Sequence, residues 1–157
     1  DNSSHGLDLI YYFGPGMRVM KIENINHLNK NMIRIVKLKD NFNNICILCL
    51  NWNSPSNFSF EILAHPYRLE LKPFENLKIF KGLEMVEPSQ SYPLKKYLPK
   101  EIESLDVFKH QKEFKPGFFE QAKEFFDFVN GKDPSVSANL NDAYKASLLA
   151  DEIANFN

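Results

Sequence analysis

The sequence predicts an α+β fold with a largely antiparallel, open β-sheet. Segments rich in β-favouring residues are grouped in the middle of the chain, and the helical patterns lie at its two ends. Two of the middle segments are joined by a turn too short for a crossover, so these strands must be antiparallel. Strands grouped apart from helices are typical of α+β proteins rather than of alternating βαβ units. We expect the helices to cover one face of the sheet.

Composition and charge are those of an ordinary globular domain. The chain has 157 residues, of which 43% are hydrophobic and 25% charged, and its net charge is -1. This length fits one domain with a sizeable core. The charge balance indicates no nucleic-acid partner, and no lysine-rich or long apolar stretch indicates a membrane. Two cysteines, expected to be reduced, favour a cytoplasmic protein.

The first element is a short helix over residues 5–13. A serine before it can cap its first turn, and the pair Gly14 and Pro15 ends it. Its apolar stripe consists of Leu7, Ile10 and Tyr11. We expect this stripe to face the core.

Five to seven strands follow the first helix. Residues 32–38 and 45–52 flank a polar turn at 40–44, which predicts a hairpin. Both faces of residues 45–52 are apolar, which favours a central strand covered on both sides. The remaining strand segments are residues 17–22, 58–63, 67–72, 76–80 and 83–86, the last two forming a short hairpin or a bend around Gly82.

The segment 45–52 also contains the pair Cys46 and Cys49, spaced as C-x-x-C. No second pair of cysteines or histidines lies nearby to complete a tetrahedral zinc site. Residues three apart on a strand face opposite sides of the sheet. We therefore expect two buried core thiols rather than metal ligands.

The last part of the chain holds two helices after a long connection. Residues 87–115 are interrupted by prolines and rich in charge, which predicts a surface connection with short helical pieces. Gly131 ends the first helix, and Asn139 caps the second, with Asp142 three residues later. We expect both apolar stripes to pack on the sheet: Phe118, Ala122, Phe125, Phe126 and Val129, then Ala143, Ala146, Leu149, Ala150 and Ile153.

Most familiar catalytic patterns do not occur in this sequence. There is no glycine-rich phosphate loop and no G-x-S-x-G nucleophile turn. The histidines at positions 5, 27, 65 and 110 show no ligand spacing, so we predict no metal site. We likewise predict no cofactor-binding residues in this chain.

The opening residues contain the one constellation that fits catalysis. Asp1, His5 and Asp8 fall on one face of the first helix if that helix extends back to Asp1. A carboxylate beside an imidazole stabilises the protonated ring and fixes its tautomer, so such a pair can accept a proton from an alcohol. The alternative is that Asp1 is a frayed terminal residue and Asp8 a solvated acidic residue of the helix.

Four stretches of the chain carry a resemblance to a known family. They are the opening DNSSHGLDLIYYFG, the middle HPYRLELKPFENLKIFKG, and the closing KPGFFEQAKEFFDFVNG and LNDAYKASLLADEIANF. The first resembles the D-x-x-x-H-x-x-D segment of the Gfo/Idh/MocA oxidoreductases, the family of glucose-fructose oxidoreductase and inositol dehydrogenase. The others resemble that family's late strands and its two closing helices. The opening and closing stretches are the more specific ones.

The resemblance implies that residues 1–157 form a C-terminal domain of this family. Such a domain has a glyceraldehyde-3-phosphate-dehydrogenase-like α+β fold that binds substrate and joins subunits through its sheet. The N-terminal dinucleotide-binding domain is absent from this chain. The implied partners are a sugar-like small molecule and further copies of the chain, with no nucleic acid or membrane.

The resemblance also implies an activity and site residues. The parent enzyme would use NAD or NADP to oxidise or reduce a sugar, nucleotide sugar or cyclitol, and the isolated chain would bind neither cofactor. By position, Asp1 and His5 match the residues that act beside the nicotinamide with the lysine of an E-K-P motif. No E-K-P motif occurs here, and Ser3 stands where many members have glycine. Lys115 is a candidate for substrate contact, or else a solvated lysine before a helix.

A freestanding binding or dimerisation module of the same fold, without enzymatic activity, is the alternative function. A glycine-rich dinucleotide motif encoded upstream of Asp1 would favour the enzyme. The sequence leaves open which sugar is used, the reaction direction and the choice between NAD and NADP.

Overall fold

The computed structural model is α+β, with antiparallel sheets, as the sequence predicts. The structure describes residues 3–26, 32–51, 54–107, 113–132 and 138–156. Within these residues there are seven strands in two open sheets, together with three helices. No helix in the described parts of the chain is long and apolar enough to cross a membrane.

Apart from β7, which the sequence does not predict, the helices and strands follow one another along the chain in the order that the hydrophobic patterns indicate. Their bounds are α1 (Ser3–Phe13), β1 (Arg18–Asn26), β2 (Met32–Lys39), β3 (Ile45–Asn51), β4 (Phe60–Ala64), β5 (Tyr67–Leu71), β6 (Asn76–Val86), β7 (Lys96–Asp106), α2 (Phe118–Val129) and α3 (Leu140–Asn155).

The chain divides into two compact units, each with its own sheet. The terminal unit consists of residues 1–56 and 135–157, and the middle unit of residues 57–134. The sequence predicts one sheet, whereas the strands form two. Between β3 and β4 the chain passes through Pro55, which has no backbone N–H to donate to a ladder. The assignment of the whole chain to a single substrate-binding domain stays a prediction.

The core of the terminal unit is built by its two helices together with the strands that they cover. α1 packs against α3, and α3 also contacts β1. Leu7 and Ile10 are buried on α1, as their spacing predicts. On α3 three residues of the predicted stripe are buried: Ala146, Leu149 and Ile153. Burying each of the larger side chains contributes about 1.5–3 kcal/mol. The other buried residues of this core lie in or next to β1 and β2: Met17, Val19, Val36 and Leu38.

Hydrogen bonds fix α3 on the sheet. The backbone N–H of Val19 donates to Oε1 of Glu152 at 3.1 Å, and Nη1 of Arg34 donates to the carbonyl of Ile153 at 3.3 Å. At its start, Asn139 accepts the backbone N–H of Asp142, and the side chain of Asp142 accepts the N–H of Asn139. The predicted capping box is confirmed.

The three-stranded sheet has the order β1-β2-β3, so β3 is an edge strand. The prediction of a central strand at 45–52 is wrong within the described residues, because β3 pairs only with β2. The central strand is β2, where Val36 and Leu38 are fully buried. On β3 one face is half-buried, and the face of Ile45 and Ile47 is exposed.

The predicted hairpin between β2 and β3 is confirmed, and its turn is closed by Asp40. This carboxylate is buried and accepts the backbone N–H groups of Phe42 and Asn44, both at 2.8 Å, and the side-chain amide of Asn44 at 2.7 Å. Asn43 adopts a φ of 70°, in the left-handed region that asparagine tolerates. The polar groups of the turn thus satisfy one another's hydrogen bonds.

The middle unit has a four-stranded sheet in the order β4-β5-β6-β7. Residues 76–86 form one strand with a bend, because the register shifts between Ile79 and Leu83 and Gly82 has a φ of 65°. The prediction that residues 87–115 are only a connection is wrong, since they contain β7. Pro99 suggested a break, but proline is tolerated on an edge strand.

The helix α2 lies where the sequence predicts it, between Gly117 at a φ of 86° and Gly131 at a φ of 80°. Its apolar stripe is not packed on a sheet as predicted. No residue of α2 is buried, and Phe125 and Phe126 are each 68% exposed. Apolar residues at helical spacing indicate an amphipathic helix, but they do not indicate what covers its apolar side.

Candidate functional site

His5 lies on the exposed side of α1, away from the buried stripe of Leu7 and Ile10. Asp8 follows His5 by one helical turn and is half-buried. Asp1 lies outside the described residues, so the predicted Asp1–His5 pair stays a prediction. His5 is therefore a solvent-accessible imidazole on a helix whose opposite side is packed in the core.

The local sequence explains why α1 is held firmly. The backbone N–H of Gly14 donates to the carbonyl of Ile10 at 2.8 Å and ends the helix. A Cβ atom at Gly14 would lie 2.6 Å from Cε of Met17, so the end of that methionine side chain would have to shift. The helix that carries His5 is thus held by this turn and by Leu7 and Ile10, which are packed in the core.

Lys115 belongs to the middle unit, whereas His5 belongs to the terminal unit. Lys115 is exposed, and its carbonyl accepts the backbone N–H of Phe118 at 3.2 Å in the turn that leads into α2. The rings of Phe114 and Phe119 stack beside this turn with their centroids 5.8 Å apart. The predicted role of Lys115 in substrate contact stays a prediction.

The remaining histidines and the cysteines form no metal site in the described residues. His27 and His110 lie outside those residues, and His65 is exposed in the turn between β4 and β5. Within the parts of the chain that the structure describes, no group of three or more histidine, cysteine, aspartate or glutamate side chains could hold a metal ion.

The two cysteines differ, although both were predicted to be buried. Cys46 is half-buried, and desolvation raises the pKa of its thiol. Cys49 is exposed, so the prediction is wrong for this residue. The reason is the position of β3 at the edge of the sheet, with one face uncovered.

The middle unit contains a site that sequence reasoning missed. A cleft of about 590 Å³ opens beside the turn between β4 and β5, and Arg68 is the cationic side chain in its lining. The guanidinium carbon of Arg68 lies 4.2 Å from the centroid of the Phe80 ring. Regular alternation in β5 suggests only a solvated charged face for Arg68. No local pattern of the sequence marks the site, because the row of Leu63, Arg68 and Phe80 arises only from the register of three strands.

Arg68 is incompletely satisfied in this cleft. Its Nε atom is buried and has no hydrogen-bond partner, and its Nη2 atom lies 3.7 Å from Oε2 of Glu70, too far for a hydrogen bond. Leaving a buried donor without an acceptor costs about 1–3 kcal/mol. A buried donor of this kind is normally paired with water or with another bound group.

Comparison with known proteins gives no assignment. No family model matches the sequence, and neither a curated protein nor a solved structure matches it. The resemblance of the opening and closing stretches to the Gfo/Idh/MocA oxidoreductases therefore stays a hypothesis from the sequence. Any function must be argued from the residues described above.

Proposed function

We propose that this chain is the substrate-binding and oligomerisation part of an NAD(P)-dependent oxidoreductase of the Gfo/Idh/MocA type. Its substrate is a sugar, nucleotide sugar or cyclitol that carries a reactive hydroxyl or carbonyl group. The observation that carries the proposal is the packing of α1 on α3 with His5 left exposed. These two helices come from the two stretches with the most specific resemblance.

In this proposal His5 handles the proton of the reaction. Oxidation of an alcohol requires that its hydroxyl lose a proton, and an imidazole is a suitable acceptor near neutral pH. Asp1 would fix the tautomer of the ring and stabilise its protonated form. The exposed position of His5 on an anchored helix is compatible with a substrate hydroxyl approaching from solvent.

The dinucleotide cofactor does not fit the residues of this chain. Dinucleotide pyrophosphate is bound by a glycine-rich turn at a helix N-terminus, and the sequence has no such motif. NAD or NADP would therefore be bound by a separate domain of the parent enzyme. Fluorescence titration of the isolated chain with NADH and NADPH should show no saturable binding, and micromolar binding would contradict this assignment.

The oligomerisation role is supported by the exposed face of β3. Ile45 is 57% exposed and Ile47 is 61% exposed, and Cys49 lies on the same face. Adjacent exposed apolar side chains on a strand are typical of a contact surface. Light scattering at tens of micromolar should show an oligomer, and Ile47→Lys should shift it towards the monomer. Met20→Lys, which adds a lysine at an exposed methionine of β1, is the matched control.

The decisive experiment uses the complete gene that encodes this sequence. Its product should reduce NAD or NADP with at least one member of a panel of aldoses, inositols and nucleotide sugars. A complete product that carries no dinucleotide-binding domain and no such activity would instead favour the freestanding binding or dimerisation module.

A further inference from the structure

The cleft around Arg68 is built by two neighbouring features of the middle sheet. The register of the strands places Leu63 on β4, Arg68 on β5 and Phe80 on β6 in one row. Beside this row β6 bends, and the backbone N–H of Gly82 donates to the carbonyl of Pro66 at 3.0 Å. The bend joins β6 to the turn between β4 and β5, and the cleft lies at that junction.

The walls of the cleft are mostly apolar. They include Leu63, Pro66, Phe80, Leu83 and Pro99. Its volume of about 590 Å³ lies within the range of small-molecule sites, which are usually apolar with a few polar groups that fix the ligand. The cleft therefore suits a small ligand with an apolar body.

The charged groups in and beside the cleft favour a single negative charge on that ligand. Its described lining contains Arg68 and no carboxylate. The carboxylate of Glu70 is 3.7 Å from the guanidinium, which leaves the donors of Arg68 available for a better acceptor. Lys78 and Glu101, on neighbouring strands, pair with each other at 3.3 Å and offset each other's charge. One guanidinium matches a carboxylate, whereas a dianion would call for more than one cation.

Stacking prepares Arg68 for this role. The guanidinium carbon lies 4.2 Å from the centroid of the Phe80 ring, and this cation–π contact favours one position of the group before a ligand arrives. A planar guanidinium held in this way can present two parallel donors to a carboxylate, which a flexible lysine cannot do.

We propose that the Arg68 cleft binds a small organic monocarboxylate with an apolar or aromatic body. The carboxylate pairs with the guanidinium of Arg68, and the body packs on Leu63, Leu83 and Pro99. This site belongs to the middle unit and does not depend on the role proposed for His5 in the terminal unit.

The test is a titration of the ¹⁵N-labelled chain with phenylacetate, followed by NMR. The side-chain Nε–H signal of Arg68 and the backbone amide of Gly82 should shift saturably, with a Kd of about 1 mM, as expected for a ligand of this size. Phenylacetamide has the same body without the charge and should bind at least about tenfold more weakly. No saturable shift up to 20 mM, on the order of twenty times that Kd, would overturn the proposal, as would equal binding of the amide.

Two variants locate the binding. Arg68→Gln should weaken phenylacetate binding at least about tenfold, whereas Arg18→Gln, which removes an exposed arginine from the terminal unit, should leave it unchanged. Equal weakening by both variants would show only a general charge effect and overturn the site. Leu83→Trp fills the cleft from a side chain that is 68% exposed and so spares the fold. It should also abolish binding, and unchanged binding would overturn the proposal even if Arg68→Gln did not fold.

Discussion

The two units of this protein differ in how deeply their side chains are buried. Every buried apolar side chain in the described residues belongs to the terminal unit: Leu7, Ile10, Met17, Val19, Val36, Leu38, Ala146, Leu149 and Ile153. The described residues of the middle unit, 57–107 and 113–132, include none. The terminal unit therefore has its own core, whereas the sheet and helix of the middle unit keep their apolar side chains partly or largely exposed.

The helices α2 and α3 illustrate this difference in burial. Both carry apolar residues at helical spacing, α2 ends before the predicted Gly131, and α3 begins at the predicted cap Asn139. Leu149 of α3 is 1% exposed, whereas Phe126 of α2 is 68% exposed. The same pattern thus stabilises one helix by burial and leaves the other as an accessible aromatic surface. Stability and reactivity should therefore be distributed unevenly between the units.

The largest expected effect is a loss of stability in the terminal unit. Leu149→Ala removes a fully buried side chain and should lower the free energy of unfolding by about 2–5 kcal/mol. Phe126→Ala removes a larger side chain from α2 but should change the free energy of unfolding by less than about 0.5 kcal/mol, because that ring is already in solvent. Urea denaturation followed by circular dichroism measures both values. Equal losses would show that α2 is covered in solution.

In the terminal unit a buried carboxylate, Asp40, also closes the turn between β2 and β3. Desolvation alone would raise the pKa of Asp40, but the hydrogen bonds from Asn44 and Phe42, and the nearby charge of Lys39, outweigh it and hold that pKa below its usual value. A lowered folded-state pKa stabilises the fold above the unfolded pKa of about 3.9, and this contribution is lost as the pH falls through the folded-state value.

The pH dependence of thermal unfolding tests this turn. The melting temperature of the wild-type chain should fall as the pH is lowered from 6 towards 2. Asp40→Asn should melt lower at pH 6 and show a shallower fall with acid. If both proteins follow parallel curves, Asp40 does not contribute to the acid sensitivity.

A smaller effect is expected at the start of α3. Asn139→Ala removes the side chain that accepts the backbone N–H groups of Asn141 and Asp142, and should cost about 1 kcal/mol. Asn141→Ala, at an exposed position two residues after the same cap, should change the unfolding free energy by less than about 0.5 kcal/mol. Matching losses would mean that the capping box does not form in solution.

The smallest expected effect is a difference in reactivity between the two cysteine thiols of β3. Cys49 is exposed, whereas burial raises the pKa of Cys46 and so lowers its thiolate fraction. At neutral pH, and at a dilution where the chain is monomeric, Cys49 should react with a disulfide reagent at least about tenfold faster. The variants Cys46→Ser and Cys49→Ser assign the two phases. Equal rates would contradict the edge position of β3.

The sequence predicted the turns and helix ends of this fold, but not which segments pack against one another. Gly14, the polar turn at 40–44 and the capping box at Asn139 all act through neighbours within a few residues, so their patterns predicted the structure correctly. The edge position of β3, the exposure of α2 and the division into two sheets depend on contacts between distant segments. Hydrophobic periodicity does not contain that information.

The two candidate sites show the same contrast between local patterns and contacts of distant segments. The position of His5 on the exposed side of α1 follows from its spacing relative to Leu7 and Ile10. The Arg68 cleft could not be predicted, because it requires the register of three strands and the bend at Gly82. Its only local sign was an arginine in an alternating strand, which is common on solvated faces.

The central claim is that His5 transfers the proton in an NAD(P)-dependent reaction of the parent enzyme, and one measurement tests it directly. kcat of the complete enzyme is determined from pH 6 to 9 for the wild type, His5→Ala and the control Tyr12→Ala, which alters an exposed side chain of the same helix. His5→Ala should lower kcat by about 10²–10⁴-fold, the usual range for a lost general base, with unchanged cofactor affinity. Tyr12→Ala should keep kcat near the wild-type value. A His5→Ala enzyme with wild-type kcat across this pH range would contradict the account and leave His5 as a polar residue of a short helix.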